Sequence, residues 1–386
     1  MRVTEHRSMA TITASAWDQL ELDGVPFLRH AFFQALERSG AIGADTGWEL
    51  RFQTVDDNGR LVGGLPLFQK MHSWGEFVFD FAWANAYQRH GLNYYPKLVV
   101  ATPYTPATGP RLLVHREADR VQVQHALLAA ARTLEPAASS LHLQFVTAEE
   151  STYLKSQGLL TRVDCQFHWH NQNFGSFEDF LATFTAEKRK KVKRERRRVS
   201  EAGITFQMRE GCMLTPEEWQ RIYALHANTF HRHGHEPYLS LPFFMDISAH
   251  LAKTLYIATA HHNDLIIATA IFFRGSNTLY GRYWGADADY HSLHFETCYH
   301  QGIEYCIAEN IQHFEPGTQG EHKIARGFSP TLTHSAHDIR EPRFRTAIDT
   351  FLQEERRGVL GYAQAVTDHV PYKQMTDSQD LALSLP

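Results

Sequence analysis

Residues 313–328 carry a dense group of side chains that could move a proton or meet an anion. They read HFEPGTQGEHKIARGF. Glu315 ends a short apolar run directly before a Pro-Gly pair, where a strand would stop and its last side chains would point into a site. Carboxylates and imidazoles are common general bases in enzymes. The segment therefore predicts a catalytic loop, with a loop of ordinary surface charges as the alternative. The catalytic candidates are Glu315, Glu321, His322 and Lys323.

A second unusual stretch is basic. KRKKVKRERRR, residues 188–198, has nine Lys or Arg residues in eleven positions, in a chain of formal net charge −5. Gly203 is a natural C-terminal stop, so the pattern predicts a helix over 186–202. Val192 and Val199, seven residues apart, would face the protein. The cations on the other faces indicate either a solvated surface or a contact with concentrated negative charge.

Residues 69–113 mix many aromatic side chains with polar ones that stand among apolar neighbours. Most of the aromatics are expected in the core. Buried polar groups must be paired or must line a pocket, so this stretch predicts one wall of a binding cleft. Glu76, Thr105 and Tyr283 belong to the same set of cleft residues. The substrate-binding candidates are His72, Asp80, Tyr94, Tyr95, Lys97, Thr108, Arg111, Tyr238, Arg282 and Trp284.

Length and composition limit the class of protein. A chain of 386 residues predicts two domains, and 43% hydrophobic with 12% aromatic residues is ample for real cores. A pI near 6.6 argues against a dedicated nucleic-acid binder, which usually carries basic charge over a whole domain. The positive charge of the basic run is therefore a local feature of the chain.

The sequence carries no pattern typical of export, membrane spanning or metal binding. The first residues lack the apolar core of a signal peptide, and no window reaches the length of apolar residues that a membrane span needs. The four cysteines show no CxxC spacing. His231, His233 and His235 have no partner at a recognisable ligand spacing, so we expect no metal site. These features predict a cytoplasmic protein.

Two segments of the sequence resemble each other. PFLRHAFFQALERSG begins at Pro26 and PYLSLPFFMDISAHLAK at Pro237, and each places a Phe pair four residues after a leucine. Each continues with a strand, a polar turn and a second strand. The turns lie at 56–60, which contains Asn-Gly, and at 261–264. The pattern predicts two copies of one helix-and-hairpin unit, although such units are also common in unrelated folds.

After its hairpin the second copy continues with a strand at 277–286, a helix at 294–310, a short strand and a Gly-rich loop. This order resembles the GNAT acyltransferase core, in which neighbouring strands splay apart and hold the pantetheine arm of acyl-CoA. Two such units, with GEHKIARGF near the end, resemble the Fem-type branch. HSWGEFVFDFAW, YYPKL and TPATGPRLL further resemble the bacterial family labelled peptidoglycan biosynthesis/recognition N-acyltransferase. The resemblance covers roughly residues 15 to 372.

The resemblance implies an α+β fold of two tandem GNAT-like domains, each a mixed, largely antiparallel sheet flanked by helices. The first domain is expected over 10–160 and the second over 161–372, including the basic helix. Residues 373–386 are expected to form a flexible tail.

The resemblance also implies an N-acyltransferase that moves an acyl group from acyl-CoA to an amine, such as a cell-envelope lipid or a sphingoid base. The sequence has no GxSxG motif, which favours direct attack by the amine over a covalent acyl-enzyme. Glu315, Glu321 or His322 would then take the amine proton, and Lys323 would meet a phosphate or the acyl carbonyl. Two alternatives stay open: an aminoacyl-tRNA-dependent transferase acting on a peptidoglycan precursor, and a non-catalytic binding protein.

For the basic run, the resemblance implies three anionic partners: the phosphates of the donor, tRNA, or an anionic membrane on whose inner face the protein would lie peripherally. The absence of sustained heptads counts against a tRNA-binding coiled-coil arm. The stretch WGADADYHSLHFE lacks the usual Gly-rich pyrophosphate signature of GNAT enzymes. The oligomeric state stays open. The candidate donor-binding cations are Arg189, Lys193, Arg197 and Arg326.

Overall fold

The computed structural model of the protein describes residues 1–134, 136, 138–288, 290–318 and 320–373. In these residues, fifteen strands form two sheets. Most of the predicted tail, 374–386, lies outside the described residues. The strands are β1 (Arg2–His6), β2 (Trp48–Leu50), β3 (Phe52–Asp57), β4 (Arg60–Leu65), β5 (Leu67–Lys70), β6 (Lys97–Val100), β7 (Leu113–Val114), β8 (Ser140–Val146), β9 (Leu160–His170), β10 (Thr205–Glu210), β11 (Leu255–His262), β12 (Leu265–Arg274), β13 (Thr278–Ala286), β14 (His313–Glu315) and β15 (Ser329–Ile339).

Helices cover the sheets, and several end where the sequence predicts. The basic helix spans Ala186–Glu201 and stops before Gly203, which has a positive φ of 72°. A π-helical turn, Glu296–His300, joins the tenth and eleventh helices into one continuous element. The α-helices are α1 (Ala14–Trp17), α2 (His30–Arg38), α3 (Phe81–Arg89), α4 (Arg120–Leu134), α5 (Ala148–Ser156), α6 (Phe177–Ala182), α7 (Ala186–Glu201), α8 (Pro216–Arg232), α9 (Leu241–His250), α10 (Leu293–Phe295), α11 (Gln301–Ala308) and α12 (Pro342–Thr367).

The two predicted hairpins are confirmed, and their turns show why the sequence forms them. Asn58 and Gly59 join β3 to β4, and Asn263 and Asp264 join β11 to β12. All four residues have positive φ, as the central residues of a type I′ turn require. The right-handed twist of this turn matches that of the flanking strands, so each short loop fixes the register of its hairpin.

One strand joins the two halves of the chain into a continuous sheet. The larger sheet has eleven strands in the order β10-β11-β12-β13-β14-β9-β15-β8-β6-β5-β2. β15 pairs antiparallel with β9 on one side and with β8 on the other. Among the described strands, only β6–β8 and β13–β14 are parallel pairs. The smaller sheet has the order β1-β3-β4-β7. The sheets are thus mixed and largely antiparallel, as predicted, while the division at residue 160 stays a prediction.

The Phe pairs of the internal repeat meet in the core between the halves. The ring centroids of Phe32 on α2 and Phe243 on α9 lie 5.7 Å apart. Phe27 contacts Phe273 and Tyr280 of the second half, each at 5.0 Å. Burial of such large rings is worth a few kcal/mol each, so this apolar contact holds the halves together. Within the described residues, no helix combines the length and apolarity needed to cross a membrane.

Gly285 on β13 allows α8 to pack directly on the strand. A Cβ added at this position would stand 2.0 Å from the carbonyl oxygen of Leu225. We expect Gly285→Ala to lower the free energy of unfolding by about 1–3 kcal/mol, because strand and helix must separate. Urea unfolding followed by circular dichroism measures this change.

The matched control is Gly361→Ala in α12, where an added Cβ meets no atom within 4 Å. Alanine favours a helix interior over glycine, so this variant should gain about 0.5–1 kcal/mol. Equal effects of the two substitutions would contradict the close packing of α8 on β13.

Candidate active site

The strands β13 and β14 separate where the chemistry-bearing residues begin. They pair only from Thr278 opposite His313 to Tyr280 opposite Glu315. There β14 ends, while β13 continues for six further residues, 281–286. Within the described residues, this part of β13 therefore has an open edge on the β14 side.

A β-bulge places Arg282 at the start of this open edge. On the β12 side, Phe272 pairs with Gly281 and Ile271 with Tyr283, which leaves Arg282 without a partner residue. Bulges redirect the side chain of the extra residue and are frequent beside active sites. The guanidinium lies 5.2 Å from the ring centroids of both Phe27 and Tyr280. Nη1 donates to the Gly281 carbonyl at 3.0 Å, while the buried Nε and Nη2 have no hydrogen-bond partner among the described residues.

Glu315 is a buried carboxylate with one free oxygen. Its side chain is 8% exposed, and its Oε2 has no hydrogen-bond partner in the described part of the chain. Burial raises the pKa of Glu315 to about 7, although Arg282, Arg111 and a backbone hydrogen bond from Thr108 all favour the charged form. A carboxyl group that titrates near neutrality can accept a proton from an amine and later release it.

Lys323 lies beside the same gap. Its buried Nζ donates to the Gly317 carbonyl at 2.7 Å. Burial, together with the charge of Arg282, lowers the pKa of Lys323 to about 7. The structure thus gathers Glu315, Lys323 and Arg282, which the sequence predicts for catalysis and substrate binding.

The other members of the predicted catalytic loop lie elsewhere. Glu321 is exposed and accepts a hydrogen bond of 2.8 Å from Tyr362 Oη. His322 Nε2 and Tyr299 Oη share a hydrogen bond of 2.8 Å, and burial lowers the pKa of His322. Arg326 is buried and paired with Glu195 of α7 at 2.9 Å. Its guanidinium is therefore paired with a carboxylate of this chain, and its contact with a donor stays a prediction.

Many of the first-half candidates form a second buried cluster around Lys97. Lys97 Nζ is fully buried and donates to Ser73 Oγ and Glu76 Oε2, both at 2.9 Å, and also to Asp80. Tyr94 Oη donates to Asp80 Oδ2 at 2.6 Å. Burial alone would raise the pKa of Asp80 and lower that of Lys97. Their attraction reverses both shifts, so the pair is charged.

His72 and Tyr95 lie at the edge of this cluster. Tyr95 Oη shares a hydrogen bond of 2.9 Å with Ser73 Oγ. His72 Nε2 lies 3.0 Å from the Thr46 carbonyl oxygen. Most polar atoms of the cluster have hydrogen-bond partners within the chain, so the cluster is suited to a structural role.

Gln144 and Arg111 connect the two clusters. Gln144 Nε2 donates to Glu76 Oε2 at 2.6 Å, and the Gln144 carbonyl accepts from Arg111 Nε at 2.7 Å. Arg111 is fully buried and also donates to the carbonyls of Ala107, Gly109 and Pro110. The charge of Arg111 and a backbone hydrogen bond from Thr108 both favour the charged form of Glu315. A continuous polar network therefore runs from Lys97 in the first half to Glu315 in the second.

Aromatic side chains line the contact between the halves next to this network. Tyr238 stacks on Tyr104 with ring centroids 4.9 Å apart, and Tyr283 contacts the buried His226 at 4.7 Å. Trp284, further along the open edge of β13, contacts His294 at 5.1 Å. Tyr238, between α8 and α9, thus contacts the first half, and Trp284 lies on β13; their roles in substrate binding stay predictions.

The basic helix divides into paired and unpaired cations. Lys193 pairs with Glu178, Arg197 with Glu201, and Arg196 with Glu296 and Glu304. Arg198 Nη1 lies 3.1 Å from His291 Nε2. A cavity of about 390 Å³, lined in part by Lys193 and Arg196, lies beside the helix. The cations of α7 with neither an acidic nor a histidine partner among the described residues are Lys188, Arg189, Lys190, Lys191 and Arg194.

Sequence reasoning missed several members of these networks. Gln144, Glu195 and the buried pair His142 and His337, whose Nδ1 atoms lie 2.7 Å apart, were not among the candidates. His142 and Gln144 alternate with apolar residues on β8, which is a signal that the sequence does carry, whereas His337 stands in a largely polar strand. Glu195 stands three residues after Val192 and four before Val199, so helical spacing places it on the inward face of α7, which is a signal that the sequence also carries.

The comparisons with known proteins identify the family. The family model FemAB-like, described as peptidoglycan biosynthesis/recognition, matches residues 8–374. The chain belongs to the FemAB-like family. No curated protein sequence matches it.

Solved structures show the same fold as this FemAB-like chain. FemX is 12% identical, with a TM-score of 0.53 over 90% of this chain and 100% of its own. L-PGS from Bacillus licheniformis is 12% identical, with a TM-score of 0.50 over 85% and 95%. A conserved protein of unknown function from Bacteroides thetaiotaomicron is 12% identical, with a TM-score of 0.51 over 88% and 100%. The predicted tandem GNAT-like α+β fold is confirmed.

Removing Lys97 tests whether the buried cluster is a charged structural unit. We expect Lys97→Met to lower the free energy of unfolding by about 3–5 kcal/mol, because Asp80 would be left as a buried charge without its counterion. Urea unfolding at pH 7 measures the loss.

Lys193→Met is the matched control, because its pair with Glu178 is exposed and should contribute at most about 1 kcal/mol. The triple variant Lys97→Met, Glu76→Gln, Asp80→Asn should recover part of the loss. A cost for Lys97→Met as small as that of the control would show that the cluster is not a charged unit.

Proposed function

We propose that this FemAB-like protein is an N-acyltransferase that joins an acyl group from a thioester donor to an amine acceptor. The proposal rests on one observation: groups that can move a proton or donate hydrogen bonds lie beside an open strand edge at the end of β14. Glu315 has a free carboxylate oxygen and Arg282 has free N–H donors, where the edge of β13 has no strand partner. The GNAT-like fold supports a donor that lies along such an edge.

The proposed reaction needs only groups of this kind. The amine nitrogen attacks the thioester carbonyl carbon, a C–N bond forms, and the carbonyl electron pair moves onto oxygen. Glu315 takes the proton that the amine loses, and the N–H groups of Arg282 stabilise the oxyanion. When the carbonyl re-forms, the C–S bond breaks and the thiolate leaves, receiving the proton back from Glu315 or from water. The products are an amide and a free thiol.

Lys323 and the first-half network have supporting roles in this proposal. Lys323 fixes the loop after β14 through its hydrogen bond to the Gly317 carbonyl. Arg111 holds the 107–110 backbone through several carbonyl contacts, so the Thr108 backbone stays in reach of Glu315. A mispositioned base costs rate steeply, which gives this scaffolding a function.

The donor and acceptor are the finer parts of the proposal. The family description, peptidoglycan biosynthesis/recognition, supports an acceptor from the cell envelope, and a long-chain amine of the sphingoid type is one such acceptor. Acyl-CoA is the proposed donor, and a cytoplasmic location follows from that choice. The unpaired cations of α7 favour a second candidate, an aminoacyl-tRNA-dependent transferase, because they offer phosphate contacts.

Glu315→Gln tests the proposed base. We expect kcat/KM for acyl transfer to fall by about 10²–10⁴-fold, because the amide cannot accept the amine proton. In the unsubstituted protein, kcat/KM should fall about tenfold per pH unit below pH 7, where Glu315 becomes protonated, and level off above it. That acidic limb should be absent from the variant. Acyl-CoA and aminoacyl-tRNA are assayed separately with amine acceptors.

Two further variants keep the result specific. Glu321→Gln, at an exposed carboxylate bound by Tyr362, should keep most of the activity, and Glu354→Gln on the surface of α12 should keep all of it. Activity of Glu315→Gln equal to that of Glu321→Gln would contradict the assignment. Turnover with neither donor would favour a non-catalytic binding protein.

A further inference from the structure

The loop after β5 presents a cluster of exposed apolar side chains. Met71, Trp74, Phe79 and Phe81 are between 37% and 56% exposed, although all four lie within eleven residues. The ring centroids of Trp74 and Phe81 lie 5.5 Å apart and those of Phe79 and Phe81 6.2 Å apart. We call these four residues the aromatic patch. Contiguous exposed apolar groups on a soluble surface usually mark an interaction site.

The inner side of the same loop is firmly anchored. Ser73, Glu76 and Asp80 all bond to the buried Lys97. Arg162 Nη1 donates to the Phe79 carbonyl at 2.7 Å. The aromatic patch is therefore held outward by a buried ionic cluster, which distinguishes it from a loop that could fold its apolar side chains inward.

The aromatic patch lies at the same edge of the sheet as the open end of β13 and the end of α7. Following the pair directions through the sheet, β5 and β13 run the same way, so their C-terminal ends share one edge. β10 starts at that edge, directly after α7. A chain of contacts follows this edge in the folded protein.

The contacts link the aromatic patch to the basic helix step by step. The rings of Trp74 and His235 lie 6.4 Å apart. Arg232, at the end of α8, donates to the Asp287 carbonyl at 3.1 Å. His291, in the loop that follows β13, lies 3.1 Å from Arg198 of α7. The open edge of β13 thus lies between the aromatic patch and α7.

On α7, whose C-terminal end lies at this edge, three outward cations lie about one to two turns before Arg198. Lys190, Lys191 and Arg194 are exposed and have no acidic partner among the described residues. We call them the basic stripe. At 1.5 Å per residue, Lys190 lies about 12 Å along the helix from Arg198. The chain as a whole carries a net charge of −5, so attraction to an anionic surface would have to be local.

We propose that this edge docks on an anionic lipid bilayer, with the aromatic patch entering the interfacial layer and the basic stripe on the headgroups. The inference rests on the proposed function, because docking would bring an amphiphilic amine to the site. Tryptophan and other aromatic side chains favour the membrane interface, and cations near an anionic surface strengthen binding. The patch segment, residues 71–81, contains no Lys or Arg, whereas surfaces that stack nucleic-acid bases combine aromatics with cations.

Vesicle flotation tests this surface with the full chain. The protein should float with vesicles of phosphatidylcholine and phosphatidylglycerol (70:30), bind pure phosphatidylcholine much less, and lose binding as salt rises. The variant Lys190→Gln, Lys191→Gln, Arg194→Gln should bind about 100-fold more weakly, from about fivefold per cation. Trp74→Ser with Phe79→Ser should also weaken flotation.

The control variant removes three exposed cations elsewhere: Arg2→Gln, Arg116→Gln, Lys253→Gln. Lys253 precedes β11 and lies at the opposite edge of the sheet. This variant should float like the unsubstituted protein. Equal loss in this variant, absence of any preference for anionic vesicles, or stripe-dependent binding to RNA without vesicle binding would each overturn the proposal.

Separate variants distinguish a failure of the docking proposal from a failure of the proposed function. Glu315→Gln should float normally, because Glu315 is buried away from the proposed contact. The patch variant should transfer acyl groups normally to a short, water-soluble amine without vesicles. Normal flotation of a protein that has no transferase activity would reject the proposed function and leave the docking surface intact.

Discussion

The pairing of β15 with β8 brings residues from distant parts of the sequence to one place. This antiparallel pair merges the strands of both halves into one sheet, so β14 and β8 are separated only by β9 and β15. Glu315 on β14 can therefore respond to Arg111 and Thr108 of the first half. A hinge between two independent domains would not hold a buried carboxylate against such partners with constant geometry.

Burial gives similar carboxylates different roles according to their partners. Glu150 and Glu315 are both buried, and burial raises the pKa of each to about 7. The oxygens of Glu150 accept hydrogen bonds from the backbone N–H groups of Arg111 and Leu112, so Glu150 supports the loop. Glu315 keeps one oxygen without a partner in the described residues, beside a bulged arginine. A shifted pKa alone therefore does not mark a catalytic group here, and the proposal for Glu315 also rests on its free oxygen and on the open edge of β13.

A comparison of the two parallel strand pairs also favours a site in the second half of the chain. In the second half, the last pair of β13 and β14 is Tyr280 with Glu315. In the first half, the last pair of β6 and β8 is Val100 with Leu143, and both are buried in an apolar cluster. The parallel pair of the second half thus ends at polar residues, whereas the parallel pair of the first half ends at apolar ones. The first half instead supplies anchoring groups through Gln144 and Arg111.

Local features of this structure were predictable from the sequence, and long-range ones were not. Asn-Gly and Asn-Asp turns specify their hairpins within a few residues, and the spacing of Val192 and Val199 specifies the inward side of α7. Glu315 was identified because a Pro-Gly pair ends its strand. The bulge at Arg282, the pairing of Glu195 with Arg326 and the merging of the sheets at β15 depend on contacts between residues far apart in sequence. Single-sequence patterns contain no record of such contacts.

The position of a bound donor tests the central role of the open β13 edge most directly. A crystal structure with a thioether analogue of acyl-CoA, which cannot transfer its acyl group, would show that position. We predict that the sulfur lies along residues 281–286 of β13, with the acyl carbon nearest to Glu315 and Arg282. An analogue bound between β6 and β8, or in the cavity beside α7, would contradict the assignment of the site to the second half.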